Sequence, residues 1–122
     1  MSDRDRLDTM LARIEDIEFF LAQKEGKIVA ALEDRILRPA IRMQLIALSE
    51  DFTRLTQNGA FDILAHFDPS EIRGLNAVRN YIAHDYDSVD DEILELVLRK
   101  HLPHIKEKIF RAKKEKNSCD DE

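Results

Sequence analysis

Residues 79–86 read R-N-Y-I-A-H-D-Y and are followed by D-S-V-D, in a chain whose other segments are mostly plain amphipathic helix. The side chains gathered here suit work on a phosphodiester. The imidazole of a histidine such as His84 can take a proton from a ribose 2′-hydroxyl or return one to a leaving oxygen. Arg79 offers a permanently charged fork matched to non-bridging phosphate oxygens and to the charge that develops on them. Asn80 can orient either the imidazole or the substrate. At about 100° per residue, Asn80 and His84 lie about 40° apart on one helix face, one turn from each other. Arg79 lies about 140° from His84 around the axis, within reach of a phosphate for a side chain of its length. The single histidine of this motif is too few for a separate acid and base, but a two-fold dimer pairing these helices would bring two Arg/His sets into one cleft. On spacing alone, an R-x4-H pair on a helix also fits ordinary surface or interface polarity.

The elements that position this segment follow from hydrophobic spacing. Leu7, Leu11, Ile14, Ile17, Phe20 and Leu21 recur at 3/4 spacing, predicting a first helix over about residues 3–25, with Ser2 or Asp3 as cap and Gly26 as stop. A second pattern runs from about Val29 to Thr56 and is interrupted at Pro39, which allows a kink or a fresh start with proline in the first turn; the kinked helix is preferred. Gln57–Pro69 is a connection with apolar anchors. Asp68, Pro69 and Ser70 then open a third helix, on which Ile72, Leu75, Val78 and Ile82 form the apolar stripe. The stripe does not include Asn80 or His84, so the core does not demand them.

The D-Y-D-S segment must end that helix, which places Tyr86 at a helix–helix turn. Ser88 with Asp91 reads as the capping box of a fourth helix, whose stripe continues through Val97, Leu102, Ile105 and Ile109, with Pro103 expected to bend it. The charged residues 113–122 have no apolar face and are expected to form a disordered tail beyond a helical domain of residues 1–112. The expected fold is all-α: a four-helix antiparallel bundle.

Composition narrows the function classes. A net charge of −6 argues against a protein that coats nucleic acid through many phosphate contacts, but not against a small local cluster of cations acting on one phosphate. The one cysteine, Cys119, can form no intrachain disulfide. The apolar runs are far too short to span a membrane, and no signal peptide is evident, so a cytoplasmic location is expected. His66, His101 and His104 share no metal-ligand pattern and read as surface or interface residues; no metal and no cofactor is expected. The Lys113-Lys114-x-Lys116 run reads as solvated charge.

The complete string is more specific than R-x4-H. Arg79-Asn80, His84, Tyr86 and Val89-Asp90, together with the downstream Leu96, Leu102, Pro103, His104, Ile105 and Lys106, resemble the signature of the HepT toxins, a branch of the HEPN superfamily of all-helical ribonucleases. Many relatives carry a tryptophan and a glycine where Ile72 and Ala77 stand. The resemblance implies a homodimer that cleaves RNA without a metal at the subunit interface, with Arg79 and His84 as the catalytic pair and Asn80 in support. Glu50 in the second helix matches an acidic position near the family's cleft. The resemblance further implies a MntA-type minimal nucleotidyltransferase antitoxin as partner, which transfers AMP from ATP onto Tyr86. Phosphate added there would neutralise Arg79 and block the substrate. The alternative is a non-enzymatic helical partner that binds a nucleotidyltransferase or a nucleotide, with the polar motif serving only as a modification or contact point.

Overall fold

A computed structural model places residues 1–84 and 91–120, and they form helices: α1 (Asp3–Ala22), α2 (Ile28–Glu33), α3 (Leu37–Gln57), α4 (Phe61–Leu64), α5 (Pro69–Ala83), α6 (Asp91–Leu96), a π-helical turn (Val97–His101) and α7 (Leu102–Asp120). The expected cap at Ser88 lies outside the described residues. The all-α expectation holds, with four long helices, α1, α3, α5 and α7, carrying most of the core.

α1 begins where Ser2 Oγ accepts the Asp5 amide at 3.1 Å, and Asp3 and Asp5 in its first turn complement the helix dipole. It ends in a left-handed turn. The Glu25 amide donates to the Ala22 carbonyl at 3.1 Å and the Gly26 amide to the Leu21 carbonyl at 3.0 Å, which is the Schellman closure. The left-handed residue at its centre is Glu25, with φ 57°, one before the glycine expected to stop the helix.

The expected kink at Pro39 is replaced by a clean break. The chain leaves helix at Asp34, whose Oδ1 accepts the Ile36 and Leu37 amides at 2.8 and 3.0 Å. These two amides, that of Leu37 first, hold the Asp34 carboxyl below its ordinary range, with Lys24 adding to them. α3 starts afresh with Pro39 in its first turn, where a missing N–H costs nothing. Within the next connection, Gly59 at φ 71° turns the chain into α4. Ile63 and Phe67 are buried there, and the Phe67 ring meets Phe52 edge-on with centroids 4.9 Å apart.

α5 has the strongest start signal in the chain. Asp68 accepts the Ser70 amide at 2.9 Å, Glu71 reaches back to the Asp68 amide at 3.3 Å, and Pro69 occupies the first helical position. The Asp68 carboxyl is held below its ordinary range chiefly by the Ser70 amide and hydroxyl.

Four seams join these helices into a ring: α1 with α3, α3 with α5, α5 with the π turn, and α1 with α7. Residue pairs across the two seams of α1 run in opposite order, so α3 and α7 each lie antiparallel to α1. Arg13 meets Asp51 and Asp16 meets Gln44 between α1 and α3; Asp8 meets Lys113 and Glu18 meets Lys106 between α1 and α7. The core inside is aliphatic, with Ile14, Ile17, Leu45, Leu48, Leu75, Ile105 and Ile109 almost completely excluded from solvent.

The core also holds a charge. Asp51 is 2% exposed and accepts from Arg6 Nη1 at 3.1 Å and Arg13 Nε at 2.6 Å. The pairing satisfies both carboxylate oxygens, and Arg6 itself is only 8% exposed.

Over the described part of the tail expected at 113–122, α7 continues as helix through Asp120. The reason is long-range charge pairing: Lys113 binds Asp8 at 2.6 Å, Glu115 binds His66 at 2.8 Å and Lys116 approaches Asp62 at 3.8 Å. Ala112 is buried at the start of this stretch.

Two stability predictions follow from these contacts. Asp51→Ala leaves Arg6 as an uncompensated buried charge and lowers unfolding free energy by about 3–5 kcal/mol, measured by urea denaturation. The caps set an acid limit. Asp34 and Asp68 have folded-state values below the unfolded value of 3.8, so their stabilisation is complete above that pH and is lost as pH falls through the folded values. Asp68→Asn keeps a cap acceptor but removes one titrating group, so thermal melts of this variant show less additional destabilisation below pH 3.8 than the parent does.

Candidate functional site

α5 presents two faces. Glu71, Leu75 and Val78 are buried and Ile82 is half-buried, while Arg73, Ala77, Asn80 and His84 are exposed. At about 100° per residue these four exposed positions fall within an arc of about 60°, centred opposite the buried stripe. Helical periodicity alone therefore sends the His84 imidazole outward.

Arg79 and Asn80 lie in the last turn of α5, and both side chains are exposed. The helix ends at His84, whose amide donates to the Asn80 carbonyl at 3.1 Å while its backbone leaves the helical region at φ −88°, ψ 7°. The imidazole thus projects from the terminal turn, one turn beyond Asn80 on the same face. The side chains of Arg79 and Asn80 make no hydrogen bond or ion pair among the described residues. The fourth residue of the expected set, Tyr86, lies outside the described residues.

α3 supports this turn from the side. Ser49, fully buried, donates its hydroxyl to Asn76 Oδ1 at 2.7 Å. Asn76 sits one turn before Asn80 on the same face, so this bond fixes the rotation of α5 about its axis at the level of the site. Glu50 follows Ser49 in α3 and is exposed. It makes no hydrogen bond or ion pair among the described residues, and therefore none with Arg79, Asn80 or His84. Arg79, Asn80 and His84 share the end of α5, and Glu50 lies on the neighbouring helix with no hydrogen bond or ion pair to them.

Sequence reasoning did not anticipate Ser49 and Asn76. Their signal is faint, because a serine in an apolar stripe and an asparagine at its edge are each unremarkable until the two helices are brought side by side. His101 and His104, read from the sequence as surface or interface residues, both line one cleft beside the start of α5.

Among the described residues, no group of three or more histidines, cysteines and carboxylates is placed to hold a metal ion. No described helix is long and apolar enough to cross a membrane. What the end of α5 offers is an exposed imidazole at His84 and an exposed guanidinium at Arg79, side-chain types that can move a proton and stabilise phosphate charge.

Searches among curated proteins and among solved structures find no match to the chain. The ribonuclease HepT-like family matches residues 10–112, a span that runs from the first half of α1 to the buried Ala112 of α7 and contains the whole of the site. Helical architecture and sequence agree on this assignment: the chain is a member of the HepT-like ribonuclease family.

Proposed function

We propose that the chain is the RNA-cleaving toxin of a toxin–antitoxin pair, acting in the cytoplasm as a homodimer whose two α5 helices face each other across one cleft. The observation that carries the reading is the exposed Arg79-Asn80-His84 turn at the end of α5, inside a chain of the HepT-like ribonuclease family.

The residues supply the steps as follows. One His84 imidazole removes the proton of a ribose 2′-hydroxyl, and the freed oxygen attacks the adjacent phosphorus. The bond to the 5′-oxygen breaks, leaving a 2′,3′-cyclic phosphate, and the leaving oxygen takes its proton from the imidazolium of the second subunit's His84. Arg79 holds the non-bridging oxygens and offsets the charge that grows on them. Asn80, one turn from His84, orients the imidazole, and Glu50 is an auxiliary acidic group at the rim of the cleft. No step requires a metal.

Control falls to Tyr86. A MntA-type nucleotidyltransferase antitoxin transfers AMP from ATP to its hydroxyl, with pyrophosphate as the leaving group. The added phosphate sits two residues from His84 and competes with substrate for Arg79.

Purified dimer should cut RNA in the presence of a chelator, and Arg79→Ala or His84→Ala should each lower the rate by about 10²–10³. Both positions are exposed, so circular dichroism of the variants should match the parent. Full cleavage by both variants would reject the site, and a well-folded dimer that cuts nothing would instead favour the non-enzymatic binding reading. Co-expression with the partner nucleotidyltransferase should add AMP-sized increments to the intact mass. Tyr86→Phe should remove those increments while keeping cleavage, leaving an enzyme that the partner cannot silence.

A further inference from the structure

A cleft of about 350 Å³ opens beside the first turn of α5, at the end of that helix remote from His84. One wall comes from the π turn and α7, where Lys100, His101, His104 and Lys108 recur at 3/4 spacing and so share a face. The π turn carries Lys100 and His101, and the His101 ring packs so close to Gly74 that a Cβ there would lie 3.2 Å from its Cδ2. The absence of a side chain at position 74 is what lets this wall approach α5.

Two ammonium groups and two imidazoles share the cleft with two carboxylates, and among the described residues only Lys108 is ion-paired there, with Glu71. Asp68 and Glu71 form the opposite wall, where each accepts hydrogen bonds. Asp68 Oδ1 accepts the Ser70 amide and hydroxyl, each at 2.9 Å, while Glu71 accepts Lys108 at 2.7 Å and the Asp68 amide at 3.3 Å. The start of α5 is thus capped by its own side chains and offers no anion site of its own. Lys100, His101 and His104 make no hydrogen bond or ion pair among the described residues. Lys100 and His104 are exposed, and His101 is half-buried with its ring against the cleft.

The cleft is connected to the cutting residues by the exposed arc of α5. Ser70 at the cleft, then Arg73, Ala77 and His84, fall within an arc of about 60° on the solvent side. Arg73 is exposed and forms no hydrogen bond or ion pair among the described residues, though its charge helps to hold the Asp68 carboxyl down. Ala77 keeps the middle of the ridge low. From Ser70 to His84 is about 21 Å along the axis at 1.5 Å per residue, which corresponds to about six nucleotides stacked at 3.4 Å each.

We propose that the Lys100/His101/His104 cleft binds a backbone phosphate of the RNA strand, and that the strand runs from there past Arg73 along α5 to the Arg79/His84 turn. The proposal rests on the ribonuclease reading above and adds to it a second phosphate site, one that grips the strand several nucleotides away from the bond being cut.

The test uses the full-length protein and an eight-nucleotide RNA with 2′-O-methyl riboses, which binds but cannot be cleaved by 2′-hydroxyl attack. Lys100→Gln combined with His104→Gln changes two exposed side chains and leaves the His101–Gly74 packing intact. It should weaken the octamer about tenfold at low salt and reduce the slope of log K against log salt by about 0.7 for each phosphate that is no longer neutralised. A dinucleotide, too short to reach from His84 to the cleft, should bind parent and variant equally. Lys100→Arg should bind the octamer as the parent does. Imidazole proton signals of His101 and His104 should shift on octamer binding while those of His66, paired with Glu115, stay in place.

An unchanged affinity and salt slope in the double variant would overturn the proposal. So would AMP binding in the cleft as tightly as the octamer, because the cleft would then be a mononucleotide site. Because the RNA is uncleavable, these measurements stand apart from catalysis. If the parent cuts no RNA but the octamer still shifts His101 and His104, the ribonuclease reading fails while the phosphate cleft stands.

Discussion

Asp51 is the residue on which the arrangement of the helices turns. A carboxylate only 2% exposed is costly to bury unless both oxygens are satisfied, and here they are satisfied by two guanidinium groups from α1. The bond from Arg13, at 2.6 Å, and that from Arg6, at 3.1 Å, arrive from points two helical turns apart on α1, so any slip of α3 along α1 would break at least one of them. Two residues earlier in α3, Ser49 donates to Asn76 of α5. Positions two apart on a helix lie about 200° from each other around the axis, so a single turn of α3 binds α1 on one flank and α5 on the other. Glu50, between them, has neither flank available and is left exposed. The polar contacts of one turn thereby set where α5 lies and which of its faces meets solvent.

The opposite side of α5 is set by a different device. Pro103 lacks the amide that the preceding turn would use, and its ring crowds the carbonyl four residues back. The chain meets this with a π turn just before the proline, in which the Leu102 amide donates to the Val97 carbonyl five residues back. The sequence pattern led to an expected bend at Pro103, whereas the strain is taken up over Val97–His101 by a wider helical turn. That turn presses His101 toward α5, and Gly74 gives it room. The helix that carries the candidate site is consequently held by a hydrogen bond from α3 on one flank and by a close-packed ring from the π turn on the other.

What was legible in the sequence was what depends on neighbours three or four residues away. The stripes of α1, α3, α5 and α7 repeat at that spacing, as does the Asp68/Glu71 capping box, and the polarity of Arg79, Asn80 and His84 stood out because it lay off the α5 stripe. What depends on partners distant in sequence was not legible. The helical continuation of α7 beyond Ala112 is supported by Asp8, Asp62 and His66, each about fifty to one hundred residues away, and charges read without their partners look like a solvated tail. The break before α3 was misplaced for a local reason: Pro39 is the more conspicuous signal, but a proline is tolerated in a first turn, while Asp34, with two backbone amides to accept, is the residue that starts the helix.

Net charge gives a poor guide to what such a protein can bind, and the distribution of pairing explains why. The chain carries 25 acidic and 19 basic side chains, a balance that would repel a polyanion if every charge faced it equally. Some of the acidic charge is paired internally. Asp51 holds Arg6 and Arg13, Glu18 holds Lys106, and Glu71 holds Lys108. The two Glu–Lys pairs are nearly neutral beyond a Debye length of about 8 Å at physiological salt. Arg73, Arg79 and Lys100 have no such partner among the described residues. All three belong to α5 or to the turn packed against it, so they add positive potential on that side of the molecule that the net charge alone does not reveal.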